Sequence, residues 1–136
     1  MSIAHAVETV PAEYEDLLAS KTLMSVATIG PDGAPHNSPV WFIWNGEQII
    51  FAVQPHVQKL KNLNQDSRIA ATIFDALNPS RYLEFRGTVT IAEDNDDAFG
   101  DLLARKYLDL DHLPWSQPGN GRKVLTLHAS RMIIRG

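Results

Sequence analysis

The fold is decided by residues 23–53, which read LMSVATIGPDGAPHNSPVWFIWNGEQIIFAV. Three short runs rich in apolar and β-branched residues, 23–29, 36–44 and 47–53, are separated by Gly-Pro-Asp-Gly at 30–33 and by Asn45-Gly46. Glycine and proline mark turns, and Asn-Gly suits a two-residue hairpin because both positions tolerate a positive φ. The stretch therefore predicts three consecutive antiparallel strands.

Outside this three-stranded meander, the periodicity predicts three more strands and three helices. The predicted strands are residues 68–74, 82–91 and 123–134, and the predicted helices are residues 11–18, 57–65 and 94–108. Two predicted loops, 75–81 and 109–121, contain Pro79, Pro114 and Pro118, and Pro55 interrupts the chain before the helix 57–65. Six strands with helices inserted between them predict a mainly β (β plus α) fold, a six-stranded antiparallel barrel with peripheral helices.

Composition limits the class of protein. The chain has 136 residues, of which 44% are hydrophobic and 21% are charged, so we expect one globular domain over residues 1–136. It contains no cysteine, which excludes disulfides, thiolate metal sites and thiol catalysis. Twelve basic and sixteen acidic side chains give a net charge of −4. That balance argues against a nucleic-acid partner, which needs a basic surface.

No segment has the pattern of a targeting or membrane sequence. The first residues lack a positively charged stretch followed by an apolar core. The longest apolar runs, 40–44 and 49–53, are far shorter than the ~20 residues of a membrane helix. We therefore expect a cytoplasmic protein with no membrane partner.

Motifs for hydrolytic, metal and nucleotide-loop chemistry are missing from the sequence. Ser38 is not in a Gly-x-Ser-x-Gly elbow, and no His-Glu-x-x-His or glycine-rich phosphate loop occurs. Asp109, Asp111 and His112 cluster in a polar loop, a position that favours ordinary hydration. We expect no metal site, and no catalytic residue is identified.

One segment has the composition of an anion site. Between Gln48 and Gln65 the chain has no acidic residue, and Lys59 and Lys61 are the formal charges there. Free N–H groups at the start of the predicted helix 57–65, together with an ammonium group, suit a phosphate. A solvated lysine face is the alternative, and the residues alone leave both interpretations open.

The order of these segments is similar to that of the flavin-binding split β-barrel family related to pyridoxamine 5′-phosphate oxidase. The resemblance covers nearly the whole chain. Its motifs are Leu23-x-x-Val26-Ala27-Thr28-Ile29-Gly30-Pro31-Asp32-Gly33-Ala34-Pro35-His36, Ser38-Pro39-Val40-Trp41-Phe42, Lys59-Leu60-Lys61-Asn62-Leu63 leading to Ser67-Arg68-Ile69-Ala70, and Tyr82-Leu83-Glu84-Phe85-Arg86-Gly87-Thr88-Val89.

The resemblance implies a homodimer that binds two cofactors at the subunit interface. It implies that Pro39, Val40 and Trp41 line the cofactor ring system, that Ala52, Val53 and Gln54 flank the ribityl chain, that Lys59 binds the phosphate, and that Tyr82 comes from the second subunit. Asn62 completes the Lys-x-x-Asn-Leu pattern and is assigned to the cofactor too, with local packing as its alternative.

Departures from the family pattern narrow the expected activity. Gln58, Asn37 and Ser38 stand where the oxidases that make pyridoxal phosphate carry arginines, so vitamin B6 oxidation is not expected. The chain looks more like the branch that uses the deazaflavin F420, which transfers a hydride to an unsaturated small-molecule acceptor. FMN is the alternative cofactor, and a non-catalytic flavin- or haem-binding module is the alternative function.

Two tryptophans receive separate predictions. Trp44 is expected in the core, as buried tryptophans usually are. Trp115 lies in the loop 109–121, and loops this long are uncommon unless they are functional or mobile. One interpretation places Trp115 over a substrate pocket.

Overall fold

The computed structural model describes residues 10–136 and the backbone of residues 2–5. Its strands are β1 (Ser2–His5), β2 (Met24–Ile29), β3 (Pro35–Val40), β4 (Phe42–Trp44), β5 (Ile49–Val53), β6 (Arg68–Asp75), β7 (Asn78–Glu93) and β8 (Lys123–Arg135). Its helices are α1 (Glu15–Ala19), α2 (Gln58–Gln65) and α3 (Ala98–Leu103). Short 3-10 turns at Ala12–Tyr14 and Asn95–Asp97 precede α1 and α3, and a π-helical turn at Ala104–Leu108 follows α3.

The two end strands of the sheet are consecutive in the sequence. The strand order is β3-β2-β6-β7-β8-β5-β4, and β1 pairs with β8. The first and last strands of this path, β3 and β4, are consecutive in sequence with Trp41 as the single residue between them. The barrel is therefore split at Trp41, and we call this position the seam.

The predicted fold class is confirmed, but the predicted count of six strands is wrong. The described residues form eight strands. The predicted strand 36–44 is divided at Trp41, because β3 and β4 pair with different neighbours, β2 and β5. The second addition is β1, a short strand whose pairing with β8 has no local sequence signal.

The meander turns where it was predicted, although the second turn uses different central residues. The N–H of Asn45 donates to the carbonyl of Gln48, and Gly46 has a φ of +99°. The Asn45 side chain accepts hydrogen bonds from the N–H groups of Glu47 and Gln48. Gly46 and Glu47 are thus central in the turn, and Asn45 stabilises it through its side chain.

The predicted loop 75–81 is mostly strand. β7 begins at Asn78, and a carboxylate oxygen of Asp75 accepts hydrogen bonds from the N–H groups of Leu77 and Asn78. Pro79 is tolerated because this end of the hairpin is exposed, where a missing N–H donor costs little. The turn signal in the sequence was real, but the turn itself is two residues long.

The core lies inside the curled sheet and under the helices. β2 alternates between buried and half-buried residues, with Met24 and Val26 fully buried, and α1 adds Leu17 and Leu18. Trp44 packs against this core, as expected. No helix in the described part of the chain is long and apolar enough to cross a membrane.

Candidate cofactor site

A cavity of about 310 Å³ lies beside the seam, within the size range of small-molecule sites. It is walled by the ends of β3 and β5, the start of α2, the end of α3 and the loop 109–121. The residues that line it are Pro39, Val40, Trp41, Ala52, Val53, Gln54, Val57, Lys59, Leu103, Leu113, Trp115 and Arg122. Seven of the nine residues that the family resemblance assigns to a cofactor therefore lie in one cavity, which was not evident from their spacing.

Lys59 supplies an unneutralised positive charge to this cavity. Its side chain is half-buried, and burial is what lowers its pKa. Val57, which precedes the helix, gives no side-chain cap to the first turn of α2. The first N–H groups of a helix lack partners within it, so an ammonium group and backbone donors occur at the same end of α2. This combination is suited to a phosphate or carboxylate.

Arg122 also lines the cavity, but its charge is already compensated. It is 4% exposed, and its Nη1 pairs with carboxylate oxygens of Asp94 and Asp97. Its Nη2 donates to Oγ of Ser116 in the loop 109–121, and Asn120 donates to the same oxygen. Arg122 therefore fixes the loop rather than offering a charge to a ligand.

The acidic cluster before α3 takes two different roles. The carboxylate of Asp94 accepts hydrogen bonds from the N–H groups of Phe99 and Gly100, so it caps α3. Burial works to raise the pKa of Asp97, but hydrogen bonds from Ser116 and the charge of Arg122 hold it below its ordinary value. Asp97 stays ionised and completes the buried network.

An aromatic group covers the seam side of the cavity. The rings of Trp41 and Tyr107 are stacked, with centroids 4.6 Å apart and planes within 4°. The ring of Trp115 lies 6.4 Å from that of Trp41 at an angle of 51°. Trp115 is 66% exposed, so the wall it forms is open to solvent. Trp115 lines the cavity, and its placement over a substrate stays a prediction.

Asn62 lies outside the cavity. It is 2% exposed, and its Nδ2 donates to Oγ1 of Thr28 on β2 while its Oδ1 accepts from Nε2 of Gln58. The hydrogen bond to Thr28 fixes α2 against the sheet, and the bond from Gln58 lies within the helix. Of the two interpretations of Asn62, the geometry supports local packing, and it orients the helix that carries Lys59.

Tyr82 is also separate from the cavity in the single chain. It lies on β7 beside Phe74 of β6, on the face of the sheet that points away from the core, which we call the outer face. This face includes a second cavity of about 440 Å³ with a mainly apolar floor, to which Ala27 and Ala70 contribute. The assignment of Tyr82 to a partner's site stays a prediction.

Sequence reasoning missed Leu103, Leu113, Arg122 and Tyr107. Leu103 and Tyr107 read as ordinary apolar positions of a helix, and a stripe of that kind does not indicate which cavity it borders. For Arg122 the sequence offered one hint, the three aspartates at 94, 96 and 97 that could neutralise an arginine. Only the folded structure shows that Asp94 and Asp97 pair with Arg122.

His112 and its neighbours form no metal site in the described residues. Nδ1 of His112 contacts Oδ1 of Asp101 at 2.9 Å, and this carboxylate raises the pKa of the imidazole. No group of three or more histidine and carboxylate side chains that could hold a metal ion occurs in the part of the chain described.

The sequence and the fold of this chain both match a known protein family. A family model described as pyridoxamine 5'-phosphate oxidase matches residues 10–135. The chain belongs to this family. Members of this split-barrel family bind flavins and include oxidoreductases, and some members are haem storage proteins. Among curated proteins, none matches the sequence significantly.

Solved structures of the same fold carry several different descriptions. An F420 reductase is 32% identical, with a TM-score of 0.79 over 90% of this chain and 98% of its own. A conserved hypothetical protein from Mycobacterium tuberculosis is 24% identical, with a TM-score of 0.74 over 96% of this chain and 86% of its own. HutZ, a heme storage protein from Vibrio cholerae, is 15% identical, with a TM-score of 0.68 over 94% and 96%. The last two similarities are informative about the fold alone.

Proposed function

We propose that this protein is an F420-dependent oxidoreductase that transfers a hydride between the deazaflavin and an unsaturated small-molecule acceptor. The observation that carries the proposal is the cavity beside the seam, where the apolar walls adjoin the charged Lys59 and the uncapped start of α2. The similarity to an F420 reductase at 32% identity supports this cofactor over others.

The residues of the cavity fit the parts of such a cofactor. Lys59 and the first N–H groups of α2 would hold the phosphate, because both favour negative charge. Residues 52–54 would flank the ribityl chain, and Pro39, Val40 and Trp41 would border the ring system. When bound, the cofactor supplies the hydride, and the chain supplies position and an apolar environment.

The few ionisable residues that line the cavity are consistent with a chain that positions the cofactor and leaves the chemistry to it. Among the described residues that line it, Lys59 and Arg122 are the ionisable side chains, and Arg122 is paired with two carboxylates. No histidine, aspartate or glutamate of the described chain lines the cavity to act as a general base. Hydride transfer itself requires no general base, and the proton that completes reduction of the acceptor would come from solvent.

FMN is the second candidate cofactor, because the family binds flavins and FMN has the same kind of ring and phosphate. Haem is a poorer fit, since an axial ligand such as histidine, methionine or tyrosine is absent from the described lining of the cavity. A non-catalytic flavin-binding module would use the same cavity, so only an activity assay distinguishes it from an enzyme.

We also propose a homodimer assembled through the outer face, with Tyr82 reaching the partner's cavity. The outer face combines exposed apolar side chains with two arginines at its trough: Phe74 on β6 is 40% exposed and Leu23 is 42% exposed, and Arg68 and Arg86 line the second cavity. Small residues such as Ala27 and Ala70 leave a trough there that a second copy can fill.

The test is a fluorescence titration of the purified protein with F420 and with FMN. We expect F420 to bind more tightly than FMN. Lys59→Ala should weaken binding by about 1.5–3 kcal/mol, the range of a charge-assisted hydrogen bond. Lys61→Ala is the matched control, because Lys61 is exposed on the same helix and does not line the cavity.

Two outcomes would contradict the proposal. Failure of both cofactors to bind rejects the site, and equal effects of the two lysine substitutions reject the phosphate role of Lys59. If F420 binds, oxidation of the reduced cofactor by a panel of conjugated carbonyl and nitro acceptors is then measured. Binding without any turnover would leave a binding module, and a Soret band on addition of haem would favour a haem protein.

A further inference from the structure

Trp41, at the seam, lacks the strand pairing that orients the residues on either side of it. β3 ends at Val40 and β4 begins at Phe42, and Trp41 has no partner in any strand pairing of the described residues. Within a paired strand, successive side chains point to alternate faces of the sheet, so pairing fixes their direction. Trp41 therefore needs another contact to fix its indole as a wall of the cavity.

Tyr107 makes that contact through its ring. It lies in the π-helical turn Ala104–Leu108 that follows α3, and Leu103, one turn earlier, lines the cavity directly. The stack between Tyr107 and Trp41 is nearly parallel at 4.6 Å between centroids, which is within the range of favourable aromatic pairs. π-Helical turns occur frequently at functional sites, where they place a side chain that regular helix geometry would not.

The hydroxyl of Tyr107 fixes the ring in turn. Its oxygen accepts a hydrogen bond from the N–H of Phe42 at 3.1 Å, and it donates to the carbonyl of Thr22 at 2.8 Å. Phe42 belongs to β4, which is the last strand of the path and has no strand on its second side. The hydroxyl thus satisfies a backbone donor at this open edge and holds the ring beside Trp41.

Lys106 reinforces the same edge from the adjacent position. Its Nζ donates to the carbonyl of Phe42 at 2.9 Å and to that of Leu18 at 3.3 Å, and it lies 3.6 Å from the centre of the Phe42 ring. The backbone N–H and C=O of Phe42 are therefore both bound by side chains of the π-helical turn. The chain on the C-terminal side of Trp41 cannot shift without breaking these bonds.

We propose that Tyr107 is a positioning residue that sets the orientation of the Trp41 indole, and with it the shape of the ring-binding wall. Tyr107 does not itself line the cavity, so it acts through Trp41. The orientation of Trp41 is a property of the ligand-free chain. The consequence for cofactor affinity rests on the function proposed above, so the two parts are measured separately.

The first measurement needs no ligand. In a Trp44→Phe, Trp115→Phe background, Trp41 is the single tryptophan, and its fluorescence anisotropy and near-ultraviolet circular dichroism report its mobility. Tyr107→Leu, which removes the stack, should lower the anisotropy and the dichroic signal of Trp41. Tyr107→Phe, which keeps the ring, should restore most of both. Unchanged Trp41 signals in Tyr107→Leu would overturn the proposal.

The second measurement is the F420 titration in the unmodified background. Tyr107→Leu should weaken binding about tenfold or more, and Tyr107→Phe should weaken it less than about threefold. The matched controls are Tyr14→Leu and Tyr14→Phe, because Tyr14 is a buried tyrosine whose hydroxyl donates to the carbonyl of Gly136 far from the cavity. The Tyr14 variants should lose thermal stability and retain cofactor affinity.

The outcomes separate this inference from the function on which it rests. If Lys59→Ala weakens binding and Tyr107→Leu does not, the positioning role is wrong and the proposed function stands. If no cofactor binds the wild-type chain, the function is wrong, and the Trp41 signals still decide whether Tyr107 orients the indole. If Tyr107→Leu fails to fold, Tyr107→Met, which also lacks the aromatic ring, takes its place: unchanged Trp41 signals in that variant would overturn the proposal.

Discussion

The guanidinium of Arg122 pairs with the carboxylate of Asp97 beneath the loop 109–121, and both side chains are less than a tenth exposed. Asp94 shares the same guanidinium nitrogen, and Ser116 of the loop accepts from the other. Gly100 is required in this arrangement, because a Cβ there would come within 2.6 Å of Nη1 of Arg122. The pairing fixes the loop that carries Trp115 against α3.

Arg122→Ala should therefore destabilise the protein by about 3–5 kcal/mol, since it leaves two carboxylates buried without a counter-charge. Lys123→Ala is the control at the next position. Lys123 pairs with Glu93, whose side chain is 63% exposed, and loss of such a surface pair should cost less than about 1 kcal/mol. Urea unfolding measures the free energy of unfolding of both variants. Equal decreases would show that the buried pairing of Arg122 stabilises the protein no more than a surface ion pair does.

Lys106 should give the protein an unusual dependence on alkaline pH. Burial lowers its pKa from 10.5 to about 8, so between these values the unfolded chain binds a proton that the folded chain does not. Stability contributed by this group therefore rises as pH rises from 8 towards 10. Above pH 10 the sign is reversed by Tyr107, because burial raises the pKa of its hydroxyl to about 12 and the folded chain keeps a proton that the unfolded chain loses.

The measurement is the difference in the free energy of unfolding between wild type and Lys106→Met. This difference should move in favour of the wild type as pH increases from 8 to 10, on top of a constant offset from the lost hydrogen bonds. A difference that stays constant across this range would mean that the folded pKa of Lys106 is ordinary.

Gly87 should not tolerate any side chain. It lies opposite a bulge in β8, where Arg86 pairs with Arg131 and Gly87 with Ala129, and an added Cβ would overlap the carbonyl oxygen of His128. Gly87→Ala should cost about 1–3 kcal/mol, as overpacking against backbone does. Thr88→Ala, an exposed neighbour, should change stability by less than about 0.5 kcal/mol in the same thermal scan. Indistinguishable melting curves for the two variants would refute the close approach.

The oligomeric state tests the outer face. The wild-type chain should scatter light as a particle of two chains, and Ala70→Arg should scatter as one chain, because it adds a third cation beside Arg68 and Arg86 in the trough. Glu47→Arg at the exposed hairpin tip is the charge control and should remain dimeric. A single-chain mass for the wild type, or a dimeric Ala70→Arg, would remove this interface.

The local part of the structure was predictable from the sequence. The helix at 57–65, the strands on each side of it and the stripe of Tyr14, Leu17 and Leu18 follow from residue periodicity and turn chemistry, which act over a few residues. The resemblance placed Trp41, Ala52 and Lys59 in one site, and the structure brings them to one cavity. The helix and strand features depend on short-range order, which the sequence encodes directly, whereas the shared site came from the resemblance alone.

Contacts between distant segments were decided by the tertiary structure alone. The break at Trp41 arises because β3 and β4 join opposite ends of one curled sheet, and β1 exists because β8 offers it a pairing edge. The partner of Tyr107 is 66 residues away from it, and that of Arg122 is 25 residues away, so neither pairing leaves a periodic trace. Packing selects among many chemically equivalent partners, and that choice is made only when the chain is folded.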